Sequence, residues 1–389
     1  MKIKTYANKI IEIDLNDLSE NSNLLALPAL IVPHVHFRVP GAEHKEDWQT
    51  GARAAVAGGY TTVIDMPNNN PPVINYAGLM EKKKIINEQL KRSGLPLNYA
   101  LYLGATKNNW TEFEKCAQQI AGIKLFMGAS TGNLLVDKKE DQEKIFAEAA
   151  RLNLLVAVHA EDEATINNNK QGLFHSVIRS REAAIKAVSQ ALELAKKYKT
   201  KLYLCHISTA EEINLVAEAK KEGVTVYAEV TPHHLFLNEN DYDRLGTLGQ
   251  VNPPLRTIKD NQALWQAIND GLIDIIGTDH APHTLKEKAK PYPNSPSGVP
   301  GIETCLSLLL NACHESKITL NKIVELTHDN PQKIFNLPKN NDLVIVDLDL
   351  KKEVKNENLK TKCGWSPFVG RALTGWPVAV IINNKIKKL

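Results

Sequence analysis

Ile31-Val32-Pro33-His34-Val35-His36-Phe37-Arg38 is an apolar run that ends in two histidines and an arginine. Successive side chains of a strand point to opposite faces, so His34 and His36 share a face, about 6–7 Å apart. Two imidazoles at that separation can grip one divalent ion. Alone, a His-x-His pair is more often two satisfied surface or core histidines. The rest of the chain has to decide.

From Ala29 a regular rhythm begins, of short apolar strand, polar loop and amphipathic helix. The pattern predicts strands at 30–35, 61–65, 98–104, 122–127, 154–159, 202–206, 224–230 and 273–278. Helical patterns lie between them, among them 47–57, 138–152, 179–198 and 209–222. Near-continuous apolar strands alternating with helices argue for a parallel sheet wrapped in helices. Eight such strands close a (β/α)8 TIM barrel. A doubly wound open sheet is the runner-up, and no Gly-x-Gly-x-x-Gly follows an early strand to support it.

After the eighth strand, 284–301 is long, rich in Lys, Pro, Ser and Gly, and without period, which suggests a lid. Helical patterns follow at 302–314 and 318–327, and Pro331 and Pro338 are expected to break the chain. From Asp342 the pattern turns to β again. Those strands are the natural partners of two orphan pieces near the start, Lys2-Ile3-Lys4 and Ile10-Ile11-Glu12-Ile13. The expected organisation is a catalytic barrel over 29–339 and a small composite β domain from 1–28 and 340–389. The Lys-rich patches at 81–84 and 385–388 read as solvated faces.

Composition narrows the function. Of 389 residues, 43% are hydrophobic and 23% charged, and the formal net charge is +3. No basic cluster is interleaved with aromatics, so nucleic acid is not an expected partner. No run approaches 18 apolar residues and no apolar leader opens the chain, so no membrane is expected. Five widely spaced cysteines, Cys116, Cys205, Cys305, Cys313 and Cys363, fit reduced thiols and a cytoplasmic setting.

In a TIM barrel the catalytic groups stand at the C-terminal ends of the strands. His34 and His36 end the first expected strand and Lys124 sits within the fourth. His159 ends the fifth, His206 the sixth, and Asp279 follows the eighth. Each has a bland alternative. Lys124 could snorkel, His159 and His206 could be capping or core histidines, and Asp279 could cap a helix. Six such residues at one rim are harder to explain blandly. Imidazoles and a carboxylate suit Zn²⁺ with an open position. Lys124 cannot ligate as an ammonium. Reaction with CO₂ would make it a carbamate able to bridge two metals, and Ile123, Leu125 and Phe126 are expected to favour the reactive neutral amine.

Taken together, these blocks resemble the amidohydrolase superfamily and, within it, the dihydroorotase family. The resemblance covers nearly the whole chain. It rests on His34-Val35-His36-Phe37-Arg38, Met66-Pro67-Asn68, Lys124, His159-Ala160-Glu161-Asp162 and His206-Ile207-Ser208. It continues through Thr231-Pro232-His233-His234-Leu235, Asn252-Pro253-Pro254-Leu255-Arg256, Thr278-Asp279-His280-Ala281-Pro282-His283 and Ser366-Pro367-Phe368. Several blocks are shared with hydantoinases and allantoinases. The Arg after His-x-His, the Asn-Pro-Pro-Leu-Arg block and the Asp-His-Ala-Pro-His block point to dihydroorotases. Pro28-Ala29-Leu30-Ile31-Val32 departs from the usual Pro-Gly-Leu-Ile-Asp lead.

The resemblance implies reversible cyclisation of N-carbamoyl-L-aspartate to dihydroorotate, a step of pyrimidine biosynthesis. His34, His36 and Asp279 would hold one Zn²⁺, and His159 and His206 a second. A carboxylated Lys124 and a hydroxide would bridge the pair, with Asp279 moving the proton. Arg38, Asn68 and His283 would hold the substrate carboxylate and Asn252 the ring amides, with Ser297 and Gly298 closing over it. His233, His234 and Glu161 would support the ligands, while His44, His175, His314 and His328 have no expected role. A homodimer and association with aspartate transcarbamoylase remain open. The competing readings are a hydantoinase or allantoinase, and an inactive partner of the transcarbamoylase.

Overall fold

The computed structural model describes residues 2–7, 9–12, 22–130 and 133–389; Ile13 of the second orphan piece lies outside them. Three short strands come first: β1 (Lys2–Thr5), β2 (Ile10–Glu12) and β3 (Leu24–Pro28). Eight parallel strands follow in sequential order, the first four being β4 (Leu30–Val35), β5 (Tyr60–Asp65), β6 (Asn98–Gly104) and β7 (Gly122–Phe126). The other four are β8 (Leu155–His159), β9 (Lys201–Leu204), β10 (Val226–Val230) and β11 (Ile275–Ile276). A bridge between Val35 and His280, with the His36 amide donating to His280 O at 2.8 Å, ties the last strand to the first. The expected barrel is therefore the fold.

Strand alternation divides the side chains into two layers. Ile123, Leu125, Val156, Val158, Leu202, Leu204, Ala228 and Val230 face the surrounding helices. Ile64, Tyr102, Leu155, Ala157, Tyr203 and Ile275 share a separate cluster with Phe335. Lys124, His159 and Glu229 have the parity of that second set. Apolar residues thus fill one part of the barrel interior and ionisable ones another.

Helix ends follow their caps. Asp47 and Thr209 close capping boxes on Trp48–Ala57 and Ala210–Lys221, and Ser180 caps Arg181–Tyr198.

Both termini build a second, six-stranded sheet with β12 (Leu343–Glu353), β13 (Ala372–Ile382) and β14 (Lys385–Lys388). In it β12 pairs antiparallel with β3 and β13, and β1 pairs parallel with β3. Val344 and Val346 face the main core while Ile345 faces away with Ile3 and Ala26. All five cysteines are unpaired. Among the described residues, no helix is long and apolar enough to cross a membrane.

Four expectations need correction. The eighth strand is regular over only Ile275–Ile276, with single bonds from the Asp274 and Gly277 amides to Ala228 O and Val230 O on either side. Gly277 passes so close to Glu229 that a Cβ there would lie 2.0 Å from Oε2. Pro331 does not break its helix. A π-turn at Glu325–Asp329 lets Pro331 fall in the first turn of Asn330–Ile334, where its missing N–H costs no bond. The 284–301 segment holds a short helix, Leu285–Lys288, capped by Thr284. Lys82 is not solvated: it is buried, 2.5 Å from Asp65, and donates to Met66 O and Asn69 Oδ1 at 2.9 and 2.8 Å.

Candidate active site

His34 and His36 lie side by side, ring centroids 5.4 Å apart, although β4 ends at Val35. Their Nε2 atoms approach Asp279 Oδ1 at 3.2 and 3.0 Å. Their other nitrogens are committed elsewhere, His34 Nδ1 to Glu229 Oε1 and His36 Nδ1 to Asn68 Oδ1, each at 2.8 Å. Both acceptors are oxygens, so each ring presents an N–H at Nδ1 and turns Nε2 toward Asp279. Metal-binding histidines are commonly oriented by such partners.

Next to this trio, His159 Nδ1 lies 3.0 Å from His206 Nε2, and the His34 and His206 ring centroids are 5.5 Å apart. His159 Nε2 bonds Glu161 at 2.9 Å, and Glu161 pairs with Arg179. Lys124 Nζ sits 3.0 Å from Cys205 Sγ and 5.1 Å from the Phe126 ring centroid. Ile123 and Leu125, expected to surround the amine, lie on the opposite face of β7. The company of Lys124 is a thiol, a ring and imidazoles.

Charge follows from these contacts. Burial lowers His36 to about 4 and pushes His159 and His206 below the ordinary histidine range, so these rings are neutral. Burial opposes the charge on Asp279 too, but His34 and His36 hold it well below the usual carboxylate range. His34 differs: against burial, Glu229 and Asp279 carry it up to about 10. The two carboxylates demand a cation between them.

A divalent metal fits this donor set. The ligand atoms of His34, His36 and Asp279 all lie within 4.8 Å of one another. His206 Nδ1 is buried without a hydrogen-bond partner. A second trio, His34, Cys205 and Glu229, also falls within that limit, but Glu229 is already engaged. It accepts from His34, from the His206 amide at 2.8 Å and from Tyr203 at 2.5 Å. Its part is support.

Arg38 reaches the site by a route that strand alternation does not describe. Its φ of 63° turns the chain, and its Nε donates to Pro282 O at 3.1 Å. Its Nη2 stands 3.1 Å from His283 Nε2. His206 and Asp279 also have positive φ, 41° each. Non-glycine residues in this region cost about 1–3 kcal/mol each and collect at functional sites.

Arg38 and Asn68 line one cleft of about 460 Å³ with Lys45 and Glu287. Asn252 and Ser297 line another of about 590 Å³ with His175 and Arg179. Asn252 Oδ1 is held by His175 Nε2 at 2.9 Å, so His175, which had no expected role, orients a site residue. Gly298 has a φ of 137°, and a Cβ on it would lie 2.6 Å from Ala281 O. Lys288 holds this segment shut: its buried Nζ donates to the carbonyls of Gln250, Pro296 and Gly298 at 3.0–3.1 Å. His233 and His234 both contact Thr231 Oγ1, and His234 Nε2 reaches Pro253 O at 3.1 Å.

Sequence reasoning passed over Glu229, Lys45, His175 and Lys288. Glu229 had a signal: a lone acid inside the apolar run 224–230 needs a partner. The other three lie in polar stretches that offer none.

A parallel eight-stranded barrel with imidazoles and a carboxylate gathered around its strand ends defines a metal-dependent hydrolase type of enzyme. The match to known proteins gives the family: residues 25–387 fit the amidohydrolase family, to which this chain belongs. A dihydroorotase from Methanosphaera stadtmanae is 35% identical, over 95% of this chain and 86% of that protein. The multifunctional protein CAD of Squalus acanthias is 36% identical over 95% of this chain, which corresponds to 15% of that larger protein. A solved L-hydantoinase (dihydropyrimidinase) from Arthrobacter aurescens superposes with a TM-score of 0.89. It is 27% identical and covers 98% of this chain and 92% of its own.

Proposed function

We propose that this chain is a dihydroorotase that interconverts N-carbamoyl-L-aspartate and dihydroorotate in pyrimidine biosynthesis. The observation that carries the reading is the anion pocket: Arg38 and His283 stand 3.1 Å apart beside the histidine–aspartate cluster. Dihydroorotate carries a carboxylate that such a pocket recognises; a simple hydantoin ring carries none. The curated relatives named dihydroorotase support the same activity.

In this reading His34, His36 and Asp279 would hold one zinc ion and His159 and His206 a second, with Lys124, once carboxylated, as a further ligand. A metal centre supplies a nucleophile at neutral pH and polarises the carbonyl under attack. The chain's own residues do the rest. Asp279 accepts a proton in the hydrolytic direction and returns it to the departing ring nitrogen. Arg38, His283 and the Asn68 amide fix the carboxylate, and Asn252 the ring amide. Ser297 and Gly298 roof the site and exclude water. The division into a barrel at 29–339 and a composite unit from 1–28 and 340–389 belongs to the same proposal.

The test is metal analysis paired with assays on both substrates at varied bicarbonate. The expected result is two metals per chain, turnover in both directions and bicarbonate-sensitive recovery after metal removal. The hydantoinase reading, favoured by the likeness to the Arthrobacter enzyme, would be selected by faster turnover of 5-substituted hydantoins. No turnover of any of these substrates, together with binding to added aspartate transcarbamoylase, would select the inactive-partner reading.

A further inference from the structure

His283 lies between two cations. Its Nδ1 is 3.1 Å from Lys45 Nζ, and its Nε2 is 3.1 Å from both Arg38 Nη2 and Ser297 O. Burial, with the Arg38, Lys45 and Lys288 charges, holds this ring well below the ordinary histidine range. It is neutral, with one N–H to place. Lysine and arginine can only donate, and a backbone carbonyl can only accept.

Two tautomers compete. With the proton on Nε2, Nδ1 accepts from Lys45 and Nε2–H donates to Ser297 O; only Arg38 then faces a hydrogen. With the proton on Nδ1, Arg38 gains an acceptor. Lys45 then faces a hydrogen, and Ser297 O faces a lone pair. The first arrangement satisfies two of the three contacts and the second only one.

We propose that Lys45 is a positioning residue that locks His283 as the Nε2–H tautomer, so that Arg38 and His283 offer paired donors to a substrate carboxylate. The proposal rests on the dihydroorotase reading for its substrate, though not for the tautomer. The unsatisfied contact left in the favoured arrangement, Arg38 Nη2 against Nε2–H, is what an entering carboxylate resolves, with Nε2–H then shared between the carboxylate and Ser297 O. One oxygen accepts from each donor. Lys45 is itself anchored by Glu287 at 3.0 Å. Glu287 accepts from the amide and hydroxyl of Thr284, each at 3.0 Å, at the head of the 284–301 segment. Arg38, Lys45 and Glu287 line the same cleft as Asn68, and His283 is buried behind them in contact with Arg38 and Lys45.

The experiment uses the full-length, metal-loaded protein labelled with ¹⁵N-histidine. Long-range proton–nitrogen correlation reads the tautomer, and His283→Asn identifies the resonances by their loss. Wild type and Lys45→Arg are expected to show a protonated Nε2 and a bare Nδ1. Lys45→Met is expected to shift the proton toward Nδ1 and to raise KM for both substrates about tenfold with kcat little changed. Lys45→Met/Glu287→Gln, which removes the stranded carboxylate, should show the same rise. A wild-type ring protonated on Nδ1, or a Lys45→Met spectrum like wild type, overturns the lock. A shifted tautomer with unchanged KM overturns the positioning role. A chain without dihydroorotase activity would sink the functional reading alone, because the spectra decide the lock without turnover.

Discussion

The proposed site has two poles, one for metal and one for a substrate carboxylate, built on opposite electrostatic plans. At the metal pole, His34, His36, His159, His206 and Asp279 turn toward one another, and Glu229 and Glu161 stand behind them as acceptors. At the carboxylate pole, Arg38, His283 and Lys45 bring donors together, and the acceptors around them are carbonyls and the cap-bound Glu287. One pole is short of positive charge and the other of negative charge. A carboxylate-bearing ring with a carbonyl to be attacked meets both needs at once, whereas a hydantoin meets only the first.

If the poles are distinct, a change at the first should abolish chemistry without altering carboxylate selectivity. Asp279→Asn keeps the shape and removes the charge and the proposed proton acceptor. The expected loss in kcat is on the order of 10³ or more, in both directions of the reaction. Metal analysis of the same variant separates a lost proton carrier from a lost ligand. Near-normal kcat with full metal content would break the assignment.

At the second pole, Arg38→Lys keeps the charge but loses the planar fork. A loss of about 10²-fold in kcat/KM is expected, carried by KM for both carboxylate substrates, with metal content unchanged. Reduced metal content in this variant would show that the poles are one unit. Wild-type KM values would remove the reason for preferring dihydroorotate to a hydantoin.

The poles are joined by Asp65 and Lys82. Asp65 Oδ1 accepts from the Phe37 amide at 2.7 Å, between His36 and Arg38, while Lys82 holds Met66 O and Asn69 on either side of Asn68. Both side chains are buried. Lys82→Met strands the Asp65 carboxylate and should cost about 3–5 kcal/mol of stability, read by denaturant unfolding. In the protein that still folds, KM should rise and metal affinity fall together, since Asn68 supports His36 as well. A change in stability alone would confine the pair to scaffolding.

Much of this was legible beforehand, for physical reasons. The barrel strands are near-continuous apolar runs because both faces are covered, and β4 and β6 begin and end where that pattern does. His34, His36, Lys124, His159, His206 and Asp279 stood out because ionisable groups at the ends of buried strands need a reason to be there. Lys82 was misjudged because a Lys-rich run usually faces water, and only the fold brings Asp65 beneath it. The positive φ of Arg38, His206 and Asp279 left no mark in composition, since none of them is glycine. Lys45 and His175 were illegible because they act through another side chain, and that contact exists only once distant loops meet.

His175 gives the smallest and most discriminating test. Burial and Arg179 lower it to about 4, so it is neutral, and its Nε2–H is shared between Val251 O and Asn252 Oδ1, each at 2.9 Å. With its oxygen engaged, Asn252 has only its NH₂ to turn toward a ring carbonyl. His175→Phe frees the amide to rotate, and one net hydrogen bond of about 1 kcal/mol corresponds to roughly a fivefold loss in kcat/KM. His175→Gln, which can still donate, should recover most of it. Asn252 is proposed to read the ring, so any residual activity toward a cyclic amide without a carboxylate should fall by the same factor. Lys45→Met should leave that activity untouched. If His175→Phe instead affected only the carboxylate-bearing substrate, Asn252 would belong to the carboxylate pole, and the boundary between the poles would have to be redrawn around it.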